Sequence, residues 1–422
     1  MAAAVTAKSY AQIIGANDRL NFAVVGLNSR AYAHLSSLDA NKGASRISYV
    51  VDVDSIILNQ FASDTNKELG YSPRKERDFR KALDSKDVDV VTIATPDHWH
   101  TPLAIAAMQA GKHVYVEKPC SHNIDECQLI VAAQRKTGKQ VQMGTQQRSS
   151  PHTIEIVEKI HSGVIGRAYF AKAWYSNTRK TIGHGKPVSV PATLDWDLWQ
   201  GPAPRQAYTD NIHPYNWHWF KTYGTGEALN NGTHEIDVCR WALGVDYPKR
   251  VSANGDRYHF KDDWQFYDTL VTNLDYGDKL ISWEGMCSNG MQMYNRDRGS
   301  AIHGTEGTVI VDRAGYEIHD LKGKLINEYK MPAPAAASAD LIGRDSMTDL
   351  HFKNFIDAIH GNGKLNAPID NASISVASLL TSNIAWQVQR EINLDNSGGF
   401  LKDPEATSLR TRSYEKGWEP KV

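Results

Sequence analysis

Residues 20–31 read LNFAVVGLNSRA, and this stretch decides the fold. Leu20 to Val25 is a short apolar run of the kind a strand buried on both faces shows. It runs into Gly26, Asn28 and Ser29 before helical composition begins at Arg30 and Ala31. A strand that turns through glycine into a helix gathers backbone N–H groups at the positive end of the helix dipole, which suits a pyrophosphate. The pattern is an imperfect G-x-G-x-x-G/A, with Gly26 and Ala31 in place and Asn28 at the second glycine. Asp52 closes the next apolar run, Ile47 to Val51, where a carboxylate accepts hydrogen bonds from the adenosine ribose. A carboxylate there repels a 2′-phosphate, so NAD is favoured over NADP, with Arg30 as the neighbouring cation able to offset that repulsion.

Outward from this stretch, apolar runs at Val88–Ala94, His113–Val116 and Gln140–Met143 alternate with helical segments at Thr101–Gly111 and Ile124–Gly138. Strand and helix in alternation predict a parallel doubly wound sheet over residues 19–147. Beyond Arg148 the rhythm changes. Runs at Ala168–Trp174, Thr269–Leu274, Lys279–Trp283 and Gly307–Val311 follow one another without long helices between them, which predicts an α+β domain with a mostly antiparallel sheet over 148–422. A helical stretch from Asp349 to Ile392 and an irregular tail from Asn393 complete it, and Pro332–Ala339 reads as a lid or connector.

The composition agrees with ordinary globular domains. Lys and Arg number 47 against 48 Asp and Glu, which leaves no charge excess for nucleic acid. No window has the length of apolar sequence needed to span a membrane. The four cysteines (Cys120, Cys127, Cys239, Cys287) form no CxxC pair or zinc-like spacing, so free thiols and no metal site are expected. Residues 1–18 open with a run of small residues. They read either as the remnant of an export signal, placing the protein in the periplasm, or as a plain tail of a cytoplasmic protein.

Two further motifs stand at the carboxyl ends of parallel strands, the rim where doubly wound folds bind ligands. One is Thr95-Pro96-Asp97-His98-Trp99-His100, whose Thr95, Pro96, His98 and His100 are candidate dinucleotide contacts. The other is Glu117-Lys118-Pro119, where proline restricts the backbone and Lys118 is aimed at the cleft. Together with Gly26–Ala31, Asp52 and the Gly224–Asp237 stretch, these residues resemble the Gfo/Idh/MocA oxidoreductases, named for glucose-fructose oxidoreductase and inositol dehydrogenase. The resemblance extends to Ser300–Val309 and to the Gly15–Arg19 segment, which in similar proteins follows a twin-arginine export signal.

That resemblance implies a Rossmann domain, a second domain whose mostly antiparallel sheet is large and open, an NAD(P) cofactor, a sugar or cyclitol substrate, and a homo-oligomer, dimer or tetramer, built through the open sheet. It implies that Lys118 contacts the reacting hydroxyl and the nicotinamide ribose, and that His234 is the histidine of an Asp-x-x-x-His motif and a candidate general base. The departure is Asn230, where the family has aspartate; an amide orients a hydroxyl but cannot supply the anion that raises imidazole basicity. Asp237, three residues beyond His234 on a helix, is a candidate replacement for that carboxylate.

The second domain is also rich in aromatic side chains that suit sugar C–H faces. Tyr215, Trp217, His218 and Trp219 are the candidates there, while Asp195–Trp199 reads as a packed turn. Gln146 is a candidate cofactor contact, and Arg148 either binds substrate or forms an interdomain salt bridge. The expected activity is hydride transfer from a sugar, glycoside or cyclitol hydroxyl carbon to NAD. The alternatives are redox-neutral, NAD-dependent glycoside hydrolysis through transient oxidation and elimination, and non-catalytic binding of a sugar or cofactor.

Overall fold

The computed structural model describes residues 19–332 and 345–422, so the export reading of 1–18 and most of the Pro332–Ala339 connector lie outside the described residues. The first sheet holds β1 (Leu20–Val25), β2 (Ser45–Val51), β3 (Arg74–Glu76), β4 (Val90–Ile93), β5 (His113–Val116) and β6 (Val141–Met143) in the order β3-β2-β1-β4-β5-β6. Every pairing in it is parallel. Helices α1 (Ser29–Ala40), α2 (Ser55–Leu69), α3 (Phe79–Leu83), α4 (Asp97–Gln109) and α5 (Ile124–Thr137) make the crossovers. Phe22, Ala23 and Val24 are fully buried, as the apolar run of a central parallel strand requires. The strand β3 has no apolar signature, because its Arg-Lys-Glu sequence lies at an exposed edge. Helix α4 begins at Asp97, so the Thr95–His100 motif straddles a strand end and a first helical turn rather than only ending a strand.

The second domain adds α6 (Pro151–His161), β7 (Ala168–Thr178), α7 (Trp196–Gln200) and α8 (Thr233–Leu243). Then come β8 (Arg250–Asp256), β9 (Thr269–Asp275), β10 (Leu280–Met286), β11 (Ser288–Asn289), β12 (Arg298–Gly304), β13 (Gly307–Val311), β14 (Gly315–Asp320) and β15 (Leu325–Lys330). The chain ends with α9 (Ser346–Ile359), α10 (Ile369–Val388), β16 (Ile392–Asn393) and α11 (Pro404–Ser408). The sheet runs β15-β14-β13-β12-β7-β10-β9-β8-β16, antiparallel except between β7 and β10. Helix α8 lies against β7 and β12, and α10 against β8.

Two expectations need correction. The stretch 349–392 is two helices, broken where Gly361 takes φ +78° and Pro368 caps α10. Helix α9 also returns to the first domain. Phe352 stacks on Tyr115 with ring centroids 4.3 Å apart and, with Phe355 and Ile356, shares a core with Phe22, Val24 and Val50, so residues beyond 345 complete the Rossmann core. The tail is irregular apart from the short α11, and it is anchored: Arg412 donates to Glu126 Oε1 (2.8 Å) and to the carbonyl of His98 (2.6 Å), and Trp418 meets Trp99 edge-on at 5.1 Å. The four cysteines are buried free thiols.

Candidate active site

The ends of β1 and β4 meet where the strand order of the first sheet reverses, and a cavity of about 550 Å³ opens there and extends to the second domain. Gly26 holds φ +80°, and a Cβ on it would lie 2.6 Å from the amide nitrogen of Thr95 and 2.7 Å from the carbonyl carbon of Ala94. Only glycine fits that turn. Asn28, which precedes α1, makes no side-chain cap, so its oxygen does not take up the helix's first N–H groups. The Thr95 hydroxyl is buried without a hydrogen-bond partner. A Cβ-free cradle at a helix start, beside an orphaned hydroxyl, fits the pyrophosphate of a dinucleotide. Gly26, Asn28, Ser29, Arg30, Asp52, Thr95, Pro96, His100, Glu117 and Lys118 all line the cavity.

Asp52 accepts from the backbone N–H groups of Leu27 (2.8 Å) and Asp54 (2.9 Å). Burial pushes its pKa up to about 6 against the pull of those bonds. Arg30, read as a cation able to offset a 2′-phosphate, is turned to Glu117, donating from Nε to Oε1 at 2.8 Å. The same carboxylate oxygen meets His34 at 3.0 Å and Gln146 at 3.4 Å. Burial alone would raise the pKa of Glu117, but the Arg30 charge and the bond from His34 outweigh it and hold the carboxyl well below its usual range. His100 spans the rim, its ring nitrogens 2.6 Å from the carbonyl of Pro119 and 2.8 Å from that of Thr95.

Lys118 follows β5 and reaches across to the second domain, where Nζ donates to the backbone oxygen of Asn230 (2.5 Å) and to its Oδ1 (3.3 Å). Burial, helped by Arg30, lowers its pKa to about 8, while Glu117, Asp97 and Glu227 oppose that fall. Asn230 lies in a π-helical turn, Ala228–Gly232, which leads into α8 and His234. Burial first, then the charges of Arg313, Lys118, Arg298 and Arg30, hold His234 well below the ordinary imidazole range, so it is neutral at pH 7. Tyr215, Trp217 and His218 line the same cavity. The His218 Nδ1 lies 2.7 Å from the carbonyl of Tyr215, which can only accept, so the neutral ring keeps its lone pair on Nε2. Burial lowers its pKa to about 3.

Five predicted site residues lie outside the cavity lining. The His98 ring is fixed between the carbonyls of Tyr223 (3.3 Å) and Trp199 (3.1 Å). Gln146 is buried behind Glu117, with Tyr115 as its other partner. Asp237 does not replace the carboxylate missing beside His234: it pairs with Arg148 Nε at 2.6 Å and accepts from Ser375 at 2.8 Å. Arg148 is thereby engaged in an ion pair within the framework of the second domain. Trp219 is buried flat on Trp264, with centroids 3.8 Å apart.

Residues with no sequence signal close the site. The stretch between β7 and the π turn folds over the first domain, with the Ser55 N–H donating to Thr193 O (3.0 Å) and the Asp195 N–H to Val53 O (3.1 Å). This brings Trp199, read as part of a packed turn, into the lining beside His213 and Pro214. Arg179, Arg298 and Arg313 also line the cavity. Arg179 pairs with Glu227 at 2.5 Å and Arg298 with Glu235 at 3.0 Å. These partners are 48 and 63 residues apart in the chain, so no motif announces them. Asn231, inside the Asn230–His234 stretch, was within reach of the sequence reading.

Residues 20–145 match the family described as an oxidoreductase family with an NAD-binding Rossmann fold, and residues 153–310 match the GFO/IDH/MocA C-terminal domain. A glycosyl hydrolase family 109 protein of Saccharopolyspora erythraea is 30% identical over 208 residues, 46% of this chain and 45% of that protein. One of Shewanella sp. (strain W3-18-1) is 25% identical over 162 residues, 37% of this chain and 35% of that protein. The chain thus matches less than half the length of these relatives. The crystal structure of the WlbA dehydrogenase from Bordetella pertussis with NADH and UDP-GlcNAcA superposes with TM-score 0.66 at 19% identity, covering 89% of this chain and 99% of that one. Levoglucosan dehydrogenase with NADH and levoglucosan superposes with TM-score 0.68 at 18% identity, with the same coverage. At these identities the likeness is one of fold. Among the described residues, no helix is long and apolar enough to cross a membrane, and no group of His, Cys, Asp and Glu is placed to hold a metal ion.

Proposed function

Because the chain belongs to the Gfo/Idh/MocA oxidoreductase family, both of whose domains it carries, we propose that it holds NAD in the Gly26–Thr95 cradle and acts on a hydroxyl-bearing carbon of a sugar or glycoside. The observation that carries this reading is the placement of Lys118 and His234 in the same cavity as the cradle. NAD bound there supplies a hydride acceptor. Lys118 donates to the reacting hydroxyl oxygen and stabilises charge developing on it. His234, neutral and lined up on the cavity, takes the hydroxyl proton. Asn230 contributes its two oxygens to aim the Lys118 ammonium.

Of the two reaction classes, redox-neutral cleavage of a glycoside has the better support. The curated relatives are glycosyl hydrolases, and His218 offers a second neutral imidazole with its Nε2 lone pair available. In this cycle His218 takes the proton from the carbon beside the transiently oxidised one, and the aglycone leaves with the electron pair of the broken C–O bond. Water then adds at the vacated carbon and gives up a proton to the departed aglycone, His218 returns its proton to the neighbouring carbon, and return of the hydride together with the proton held by His234 regenerates the hydroxyl. In the dehydrogenase reading the oxidised sugar is released instead.

Mass spectra of products formed with NAD from a panel of sugars and glycosides distinguish the two. Aglycone plus intact sugar without net NADH establishes the cleavage; a sugar about two mass units lighter establishes the dehydrogenase. Lys118→Met is expected to lower turnover about 10²–10⁴-fold while NAD affinity stays near that of the parent, and undiminished turnover contradicts the assignment. Since the Lys118 ammonium is the active form and its pKa lies at about 8, the rate is expected to fall as pH rises through 8. In Lys118→Arg any residual rate should not show that fall.

A further inference from the structure

Glu227 is fully buried immediately before the π-helical turn. Its Oε2 accepts from Arg179 Nε at 2.5 Å, and its Oε1 accepts from Arg179 Nη2 at 3.3 Å and from Asn230 Nδ2 at 3.4 Å. Oε1 also accepts from the side-chain amide of Asn231. From there the bonding continues in two directions. The Asn230 oxygens hold Lys118 Nζ, and Asn231 Oδ1 accepts from Arg298 Nη2 at 2.6 Å. Arg179 in turn donates to the Tyr215 hydroxyl at 3.3 Å. One carboxylate therefore fixes both asparagines of the turn and joins the lysine to the aromatic wall.

We propose that Glu227 is a positioning residue that supplies the negative charge an amide at position 230 cannot, acting on Lys118 through the side chain of Asn230. This rests on the reading of Lys118 as the residue that contacts the reacting hydroxyl. An amide cannot carry charge, but one whose Nδ2 is bonded to a buried carboxylate is polarised, and its Oδ1 is the more strongly accepting for it. Burial strengthens the effect, because little water screens the charge at Glu227. The π turn brings the geometry about: it places the Glu227, Asn230 and Asn231 side chains together, and turns of this kind recur at functional sites. The charged groups that act most strongly on Lys118 are Glu117, Asp97 and Arg30 from the first domain and Glu227 from the second, and the neutral imidazoles of His218 and His234 also face it from the second domain. Glu227 is the one carboxylate among them that reaches it from the second domain.

The test requires no substrate. The rate at which cyanate carbamylates Lys118, followed by peptide mass spectrometry across pH, reports the ammonium's titration directly. The parent midpoint is expected at about 8. In Glu227→Gln it should fall by about one unit, in Glu227→Asp it should stay near the parent, and in Glu227→Gln combined with Asn230→Asp, which moves the charge to position 230, it should return. An unmoved midpoint in Glu227→Gln overturns the proposal, as does a double variant whose midpoint remains low. If Glu227→Gln does not fold, a folded double variant with a midpoint near 8 supports the proposal. A double variant that also fails to fold assigns Glu227 to packing alone and overturns it. Loss of the hydroxyl-contact reading would show separately, as undiminished turnover in Lys118→Met.

Discussion

Asp52 shows how much of the cofactor choice rests on one side chain. Its carboxylate is fixed by two backbone N–H groups at the end of β2, at the edge of the cavity. The nearby guanidinium groups are committed elsewhere, Arg30 to Glu117 and Arg77 to the carbonyls of Val53 (2.7 Å) and Thr193 (3.1 Å). Asp52→Ser is therefore expected to raise NADP affinity relative to NAD by about tenfold or more, roughly 1.4 kcal/mol, measured by titrating both cofactors. Because burial puts the Asp52 pKa at about 6, the parent's discrimination against NADP should weaken as pH falls below 6 and the carboxyl becomes neutral. Discrimination unchanged from pH 8 to pH 5 would place its origin elsewhere.

Among the elements, the tail and α9 do more than the sequence pattern announces. Arg412 and Tyr414 both donate to Glu126 Oε1, at 2.8 Å each, and Glu126 is fully buried in the first turn of α5. The tail so fixed also holds the carbonyl of His98 at the start of α4, next to the cofactor rim. Arg412→Met leaves Glu126 with a hydroxyl and a backbone N–H but no cation. The expected cost is about 3 kcal/mol, seen as a lower urea midpoint with the m-value unchanged. A midpoint equal to the parent's would show that the tail is not part of the cooperative unit. The boundaries of β1, β5 and α5 were legible because each carries its own signal: continuous apolar runs, and for α5 an Asn123 N-cap and Gly138 at φ +67°. The break between α9 and α10 carries a local signal of its own, Gly361-Asn362-Gly363 followed by Pro368, which the expectation of one long helical stretch passed over.

At the scale of the whole molecule, buried histidines set the response to acid. His98 and His351 are held neutral by burial, with pKa values of about 3 and about 4, and His34, His122 and His234 are shifted in the same direction. In the unfolded chain these groups protonate near pH 6.5. Below that pH the unfolded state binds more protons than the folded one, so stability falls as pH drops. Asp52, whose pKa burial raises to about 6, acts in the opposite direction between about pH 4 and 6, and burial shifts Asp97 the same way, but these groups are fewer. The melting temperature is expected to be clearly lower at pH 5 than at pH 7.5, and equal values would contradict the balance drawn here.

The sequence by itself determined the doubly wound first domain, the antiparallel character of the second sheet, the glycine turn after β1, and the place of Lys118 at a strand-end rim. These are written in local periodicity and in motifs whose residues lie within one strand-to-helix turn. The tertiary structure alone decided which polar residues face the cavity and which serve the framework. Asp237 has the right helical spacing to assist His234, yet it answers Arg148 from 89 positions away. Trp219 lies in an aromatic run like that of a sugar platform, yet it stacks on Trp264. Glu227, which stands out in no local pattern, joins Arg179 to the asparagines beside Lys118. The physical reason is that a side chain's chemistry is fixed by its partners, and once the chain folds those partners come from segments that the local pattern does not relate.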